Sequence, residues 1–347
     1  MEQERSWRVR YSAGEIICNI CGLFSVEFND ATFLPFIISF LKDNEPEVRS
    51  SILSKLPLVI NKISRNKFLT DIWPVLQDSI ANDTNHHVRS IFIGSLLSCV
   101  KHLSEEILVN NILPLVTKVI KEDVVEVKHA AVENMDELVS FFGSKIMDTN
   151  IIPLFNEVSN DIKWRIRLSL VEKLNKFIGT VGRHIILIYN KYLFLDNDVF
   201  INSLLPILNQ FYDDHAAQIR EEVITCYEKI CGIQSQNWIN SFLWGRIKHH
   251  VDSDNYLFRI CALQTIDTLK NKIEKDFFNS EVLPYVTKLK NDPVSNVRFV
   301  FCKTIKNLLS VDFINKQNKD QFGLALNELE KDVDLDVVFY AKEALSK

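Results

Sequence analysis

The sequence predicts an all-α fold, an α-α superhelical solenoid of about nine helical hairpins, and three observations predict it. A basic residue closes a turn at Arg10, Arg49, Arg89, Lys128, Arg167, Arg220, Arg259 and Arg298, with gaps of 39, 40, 39, 39, 53, 39 and 39 residues. A proline keeps the same beat fourteen or fifteen residues upstream, at Pro35, Pro74, Pro114, Pro153, Pro206 and Pro284. Apolar residues between these markers fall at helical spacing, as in Phe299, Phe301, Cys302, Ile305, Leu308 and Leu309. A unit of this size cannot bury its own apolar face, so neighbours must stack and share one continuous core.

Taken in order, the units run 1–30, 31–69, 70–109, 110–148, 149–182, 199–240, 241–279, 280–318 and 319–347, with an insert at 183–198. The first holds only a turn and a second helix. The eighth shows the full pattern. Val282-Leu283-Pro284 opens an apolar-periodic run, Asp292 reads as a helix N-cap with Pro293 at the first helical position, and the second helix follows Arg298. Asp43, Asp83, Asp161 and Asp214 repeat that turn. Stacked turns would place the Asp of one unit near the Arg of the next, capping the second helices and tying neighbours together. Gly245 and Leu324 take the proline position in the seventh and ninth units. The insert is too apolar for a solvated loop and reads either as an extra packed turn of helix or as an error in the translated sequence. Two helices per unit at this period match HEAT repeats better than the shorter ankyrin and TPR units.

Composition narrows the function. A net charge of −5 argues against a dedicated nucleic-acid binder. Nine glycines are roughly a third of average usage, and no phosphate-cradling glycine loop occurs. The charged amino terminus lacks a signal-peptide stretch and no apolar run approaches membrane-spanning length. Seven scattered cysteines fit reduced thiols, hence the cytoplasm with the nucleus as a second compartment. Cys18 and Cys21 read as packed thiols rather than half a zinc site, and His86-His87 and His249-His250 as solvated turn histidines. No catalytic, cofactor or metal residues emerge, and the chain is expected not to be an enzyme.

The departures within the turns carry the functional expectation. Positions between Asp and Arg should be polar, yet the fifth turn holds Trp164 and Arg165, and the seventh Tyr256 and Leu257. The eighth presents Val294 and Asn296, the ninth Val333, Leu335 and Asp336, and Trp7-Arg8 repeats the Trp-Arg pair. Aromatics and arginine are enriched where protein interfaces concentrate their binding energy.

At these residues the chain resembles one family. Glu4 to Tyr11, Asp161 to Leu168, Asp292 to Phe299 and Asp332 to Asp336, with Tyr340 to Leu345 after it, are similar to turns of the scaffold (A, 65-kDa regulatory) subunit of type 2A serine/threonine protein phosphatase, a HEAT-repeat family. The match runs in register along the whole chain apart from the insert, resembling the carboxy-terminal nine or so repeats. The resemblance implies that the turns of the last five repeats bind the phosphatase catalytic subunit, through Trp164, Arg165, Tyr256, Leu257, Val294, Asn296, Val333, Leu335 and Asp336. It implies that Trp7 and Arg8 belong to the edge of a surface for a regulatory B-type subunit, most of which is absent, so that this contact is weakened or lost. It also implies a fragment, a partial gene model or a shortened scaffold. The sixth turn departs, with Ala217 where the family tends to carry tyrosine. The rival reading is a karyopherin-like transport adaptor, which would need longer acidic inner loops than these short turns provide.

Overall fold

In a computed structural model of the chain, residues 6–141, 147–180 and 203–346 are described, and no strand occurs among them. The insert expected at 183–198 lies outside these residues. The described residues fall into two compact units, one of 6–141, 147–173 and 203–207, the other of 174–180 and 208–346. The fold is an all-α solenoid, and within each unit helical hairpins pack side by side.

The second helix of each hairpin forms because its apolar positions line one face. In Ser295–Leu309, Val297, Phe301, Cys302, Ile305 and Leu308 are all buried, a spacing of four, one, three and three residues. Each large side chain so buried contributes roughly 1.5–3 kcal/mol of hydrophobic stabilisation. Tyr256–Leu269, Ser295–Leu309 and Leu335–Leu345 pack in succession in the second unit, as do Trp7–Ile20, Pro46–Ser54, His86–Ser98 and Val125–Glu133 in the first.

The first helices start earlier than the prolines suggest. Five-residue π-helical turns precede Pro35, Pro74, Pro114, Pro153 and Pro284, at Asn29–Phe33, Phe68–Ile72, Leu108–Ile112, Met147–Ile151 and Phe278–Val282. Proline lacks an N–H and its ring collides with the carbonyl four residues back; widening the helix there lets it run through. Gly245 follows the same wide turn, Ile239–Leu243, so proline is not its sole cause. Lys316–Leu329, with Leu324 in the proline slot, is α-helical throughout. The starts of these helices carry a second periodicity that sequence reasoning missed. Ser25, Ser64, Ser104 and Ser235 each accept the backbone N–H three residues on, closing the first turn.

All seven cysteines are buried. Cys21 Sγ donates to Cys18 O at 2.9 Å, and burial pushes the Cys18 thiol up to about 12, so these are packed thiols. Among the described residues no group of three metal-ligating side chains is assembled. No described helix is long and apolar enough to cross a membrane.

Candidate docking ridge and its polar rungs

The Asp-to-Arg turn has a construction that sequence reasoning had partly reversed. The aspartate does not cap the second helix. Asp292 Oδ1 accepts Val294 N at 2.9 Å, Pro293 lies outside the helix, and the helix starts at Ser295. Asp43, Asp83, Asp161, Asp214 and Asp332 close the same two-residue Asx turn. The arginine six positions on donates Nη1 back to the carbonyl of that aspartate, at 2.7 Å for Arg49, Arg167 and Arg298.

The rest of the guanidinium reaches forward. Arg10 Nε and Nη2 hold Asp43 at 2.6 and 2.9 Å, Arg49 holds Asp83 at the same distances, and Arg89 holds Asp123 at 3.1 and 2.6 Å. Lys128 bonds Asp161 at 2.8 Å. In the second unit Arg259 grips Asp292 and Arg298 grips Asp332 in the same way. Each rung therefore runs from the Arg of one hairpin to the Asp of the next, opposite to the expected sense. A planar guanidinium matches a carboxylate with two parallel bonds, which fixes both the distance and the rotation between adjacent hairpins. The Arg10 and Arg298 guanidiniums hold the Asp43 and Asp332 carboxyls below the ordinary range. At Asp123 burial is the largest influence and pushes the carboxyl up, but the Arg89 bonds, the Val124 N–H and the Arg89 and Lys118 charges together bring it below the ordinary range.

The rungs set where the expected contact residues stand. Tyr256 and Leu257 open the Tyr256–Leu269 helix, whose N-cap Asn255 accepts Leu257 N at 3.0 Å. Val294 immediately precedes the next second helix and Asn296 lies in its first turn. Leu335 and Asp336 begin the last helix, capped by Asp334, which accepts Asp336 N at 2.9 Å. Together with Val333, these residues sit at the starts of three successively packed helices, where side chains project off the stack. None is buried: Val333 is 95% exposed and Leu335 83%, whereas Tyr256, Leu257 and Val294 are partly covered. In the first unit Trp164 is half-buried beneath Arg165, whose guanidinium carbon lies 4.9 Å from the ring centroid. Trp7 and Arg8 make the same stack at 4.7 Å.

The paired histidines divide. His86 and His87 are exposed, as expected, and share Glu126 at 3.2 and 3.1 Å, a carboxylate from the next turn. His250 contradicts the expectation of a solvated turn residue, because it is completely buried. Its ring stacks on Tyr212 at 4.0 Å and on Phe258 at 4.8 Å. Burial, with the Arg246 guanidinium close by, lowers its pKa to about 3, so the neutral ring donates Nε2–H to Asp213 at 2.6 Å. Arg246 holds the other oxygen of Asp213. The Tyr212 hydroxyl shares a 2.7 Å hydrogen bond with Thr265.

This cluster lies where the rung pattern changes. The position six residues before Arg259 is Ser253, not aspartate, and its hydroxyl accepts Asn255 N at 3.2 Å. Arg220, only 6% exposed, therefore has no carboxylate to grip in that slot. Counting back from Arg259 would have revealed this in the sequence; the stacked histidine had no such signal.

No protein-family model matches the chain. Among curated proteins, the regulatory A-type component of protein phosphatase PP2A from Saccharomyces cerevisiae is 26% identical over 99 residues, which is 27% of this chain and 16% of that protein. Among solved structures, Kap95p with RanGDP is similar with a TM-score of 0.72 and 15% identity, covering 97% of this chain and 43% of Kap95p. Importin beta is similar at 0.65 and 12% identity, covering 99% of this chain and 43% of importin beta. Kap121p bound to the extreme C-terminus of the protein phosphatase Cdc14p gives 0.63 and 15% identity, covering 90% of this chain and 37% of Kap121p. The chain spans less than half the length of each of these proteins, and the shared property is the fold, an all-α HEAT-repeat solenoid.

Proposed function

We propose that the chain is a non-catalytic scaffold that binds the catalytic subunit of a type 2A serine/threonine phosphatase and positions it relative to regulatory B-type subunits, in the cytoplasm and the nucleus. The observation that carries this reading is the pair Val333 and Leu335, two aliphatic side chains held almost wholly in water by a capped turn. Apolar groups so placed gain by being covered, and the neighbouring turns add Tyr256, Leu257, Val294 and Asn296 along the same edge. Asp336 beside Leu335 supplies a polar rim. In the first unit Trp164 with Arg165 is the corresponding aromatic-guanidinium pair, and Trp7 with Arg8 is assigned to the side that faces the regulatory partner. The partial similarity to a regulatory component of PP2A supports this choice of partner. The scaffold would act by tethering, raising the local concentration of substrate at the phosphatase without new chemistry.

The test is direct binding to a purified type 2A catalytic subunit. Leu335→Asp, which removes no core contact, should leave helicity and Tm unchanged yet weaken binding tenfold or more, about 1.4 kcal/mol. Trp164→Ala should do the same. Wild-type affinity in both variants would remove the ridge from the interface. A karyopherin-like adaptor is the second reading, favoured by the structural similarity to Kap95p across nearly the whole chain. The short turns, such as residues 252–255 between consecutive helices, speak for the phosphatase scaffold. Binding to a nuclear-transport GTPase in place of the phosphatase would reverse that preference.

A further inference from the structure

We propose that Ser253 is a phosphoacceptor whose phosphate completes the rung that Arg220 lacks. Arg220 sits in a turn built like the others. Its Nη1 donates to Asp214 O at 2.6 Å and His215 O at 3.1 Å, as Arg49, Arg259 and Arg298 do in their own turns. In those arginines the Nε and Nη2 edge faces the aspartate of the next hairpin. At Arg220 the corresponding position is Ser253, and among the described residues Arg220 forms no ion pair. Its guanidinium instead lies over the Phe258 ring at 5.9 Å and beside the Cys261 thiol. A guanidinium cannot shed its charge, so burial without an anion is costly.

Ser253 is suited to supply that anion. Its Oγ performs the turn-closing duty that an aspartate Oδ1 performs elsewhere, accepting the N–H two residues on. The hydroxyl thus already stands at the carboxylate position, part-exposed in a turn. A phosphate there would carry close to two negative charges and three acceptor oxygens, and would also face the N-terminal end of Tyr256–Leu269. Asp252 and Asp254 flank the serine, which fits a kinase with a basic substrate groove. In the transfer, Ser253 Oγ attacks the γ-phosphorus of a nucleoside triphosphate held by that kinase. The new O–P bond forms as the bond to the β-phosphate oxygen breaks. The hydroxyl proton passes to the kinase's base and a nucleoside diphosphate leaves. The Arg220–Ser253 pairing is the same whichever protein the ridge binds.

The experiment encodes phosphoserine genetically at position 253 of the full chain and follows its ³¹P resonance with pH. Contact with Arg220 should move the second phosphate pKa about half a unit or more below its ordinary value of ~6 and raise Tm. Arg220→Gln should abolish the Tm rise; if that variant does not fold, the ³¹P titration of the otherwise wild-type chain decides alone. A phosphate titrating like free phosphoserine, or a Tm rise that survives Arg220→Gln, overturns the pairing. An Arg220-dependent rise given by inorganic phosphate on unmodified protein would assign the slot to a free oxyanion instead. Protein isolated from its own cells should yield a phosphopeptide at 253. Its absence from digests covering residues 249–259 overturns the modification.

Discussion

Two consecutive joints of the second unit solve one problem differently. At Arg259 and Asp292 a guanidinium and a carboxylate are both nearly buried, joined by bonds of 2.6 and 2.8 Å. At Arg220 and Ser253 the carboxylate is gone, and stacked rings take over. Tyr212, His250 and Phe258 form a layered column, with the charge moved out to Arg246 and Asp213. An ion pair sets the geometry of a joint through directional bonds, whereas a stack of rings sets it through contact area and tolerates sliding. The difference shows that two chemistries can join adjacent hairpins, and that the ring stack does so while leaving Arg220 without an anion in its slot.

The largest expected effect comes from breaking the intact joint. Asp292→Ala leaves Arg259 buried without its carboxylate and should cost about 3–5 kcal/mol in denaturant unfolding of the second unit. A cost below about 1 kcal/mol would mean that water replaces the carboxylate and that the rung is ornamental. Next, Ser253→Asp turns the second joint into a copy of the first. It should stabilise by about 1.5–3 kcal/mol, the range of a charge-assisted hydrogen bond, and slow hydrogen exchange at the start of Tyr256–Leu269. No gain would show that the ring stack already satisfies Arg220. A smaller change is expected of Asp334→Ala, which removes an N-cap and should cost about 1 kcal/mol while loosening the turn that presents Leu335.

The smallest effect is one of pH. Asp43, Asp123 and Asp332 have folded-state pKa values below the unfolded value, so their contribution is present above that value and is lost as pH falls through the folded one. At about pH 4, where an ordinary carboxyl is about half protonated, these rungs should remain largely intact. Hydrogen exchange should therefore show loosening at the Arg10, Arg89 and Arg298 joints only at lower pH. The Arg220 joint should respond differently: burial holds His250 at about 3 against an ordinary 6.5, so the unfolded chain takes up that proton first and this joint should weaken progressively from about pH 6.5 downward. Parallel loosening at all joints would dissociate the acid response from the rungs.

Much of the architecture was legible because repetition turns local signals into statistics. One Asp-to-Arg turn means little, but eight closing basic residues at nearly constant spacing establish hairpins, their period and their apolar faces. The exposure of Val333 and Leu335 could also be anticipated, since aliphatic side chains between two turn markers have no core position to occupy. The direction of each rung could not. A spacing of 39 residues places every Arg equally well beside the Asp before it or the Asp after it, and only the packed geometry chooses. The capping serines were missed because Ser25, Ser64 and Ser104 keep the period quietly among many other serines.

By itself the sequence determined the period, the helical hairpins and which side chains stand at their tips, because these follow from local spacing and from hydrophobic faces that must be covered. Tertiary structure alone decided that each arginine reaches forward, that His250 is walled in by rings, and that Arg220 meets a serine. Those outcomes depend on which groups from different hairpins arrive at the same few ångströms, a matter of three-dimensional stacking that no single stretch of chain encodes.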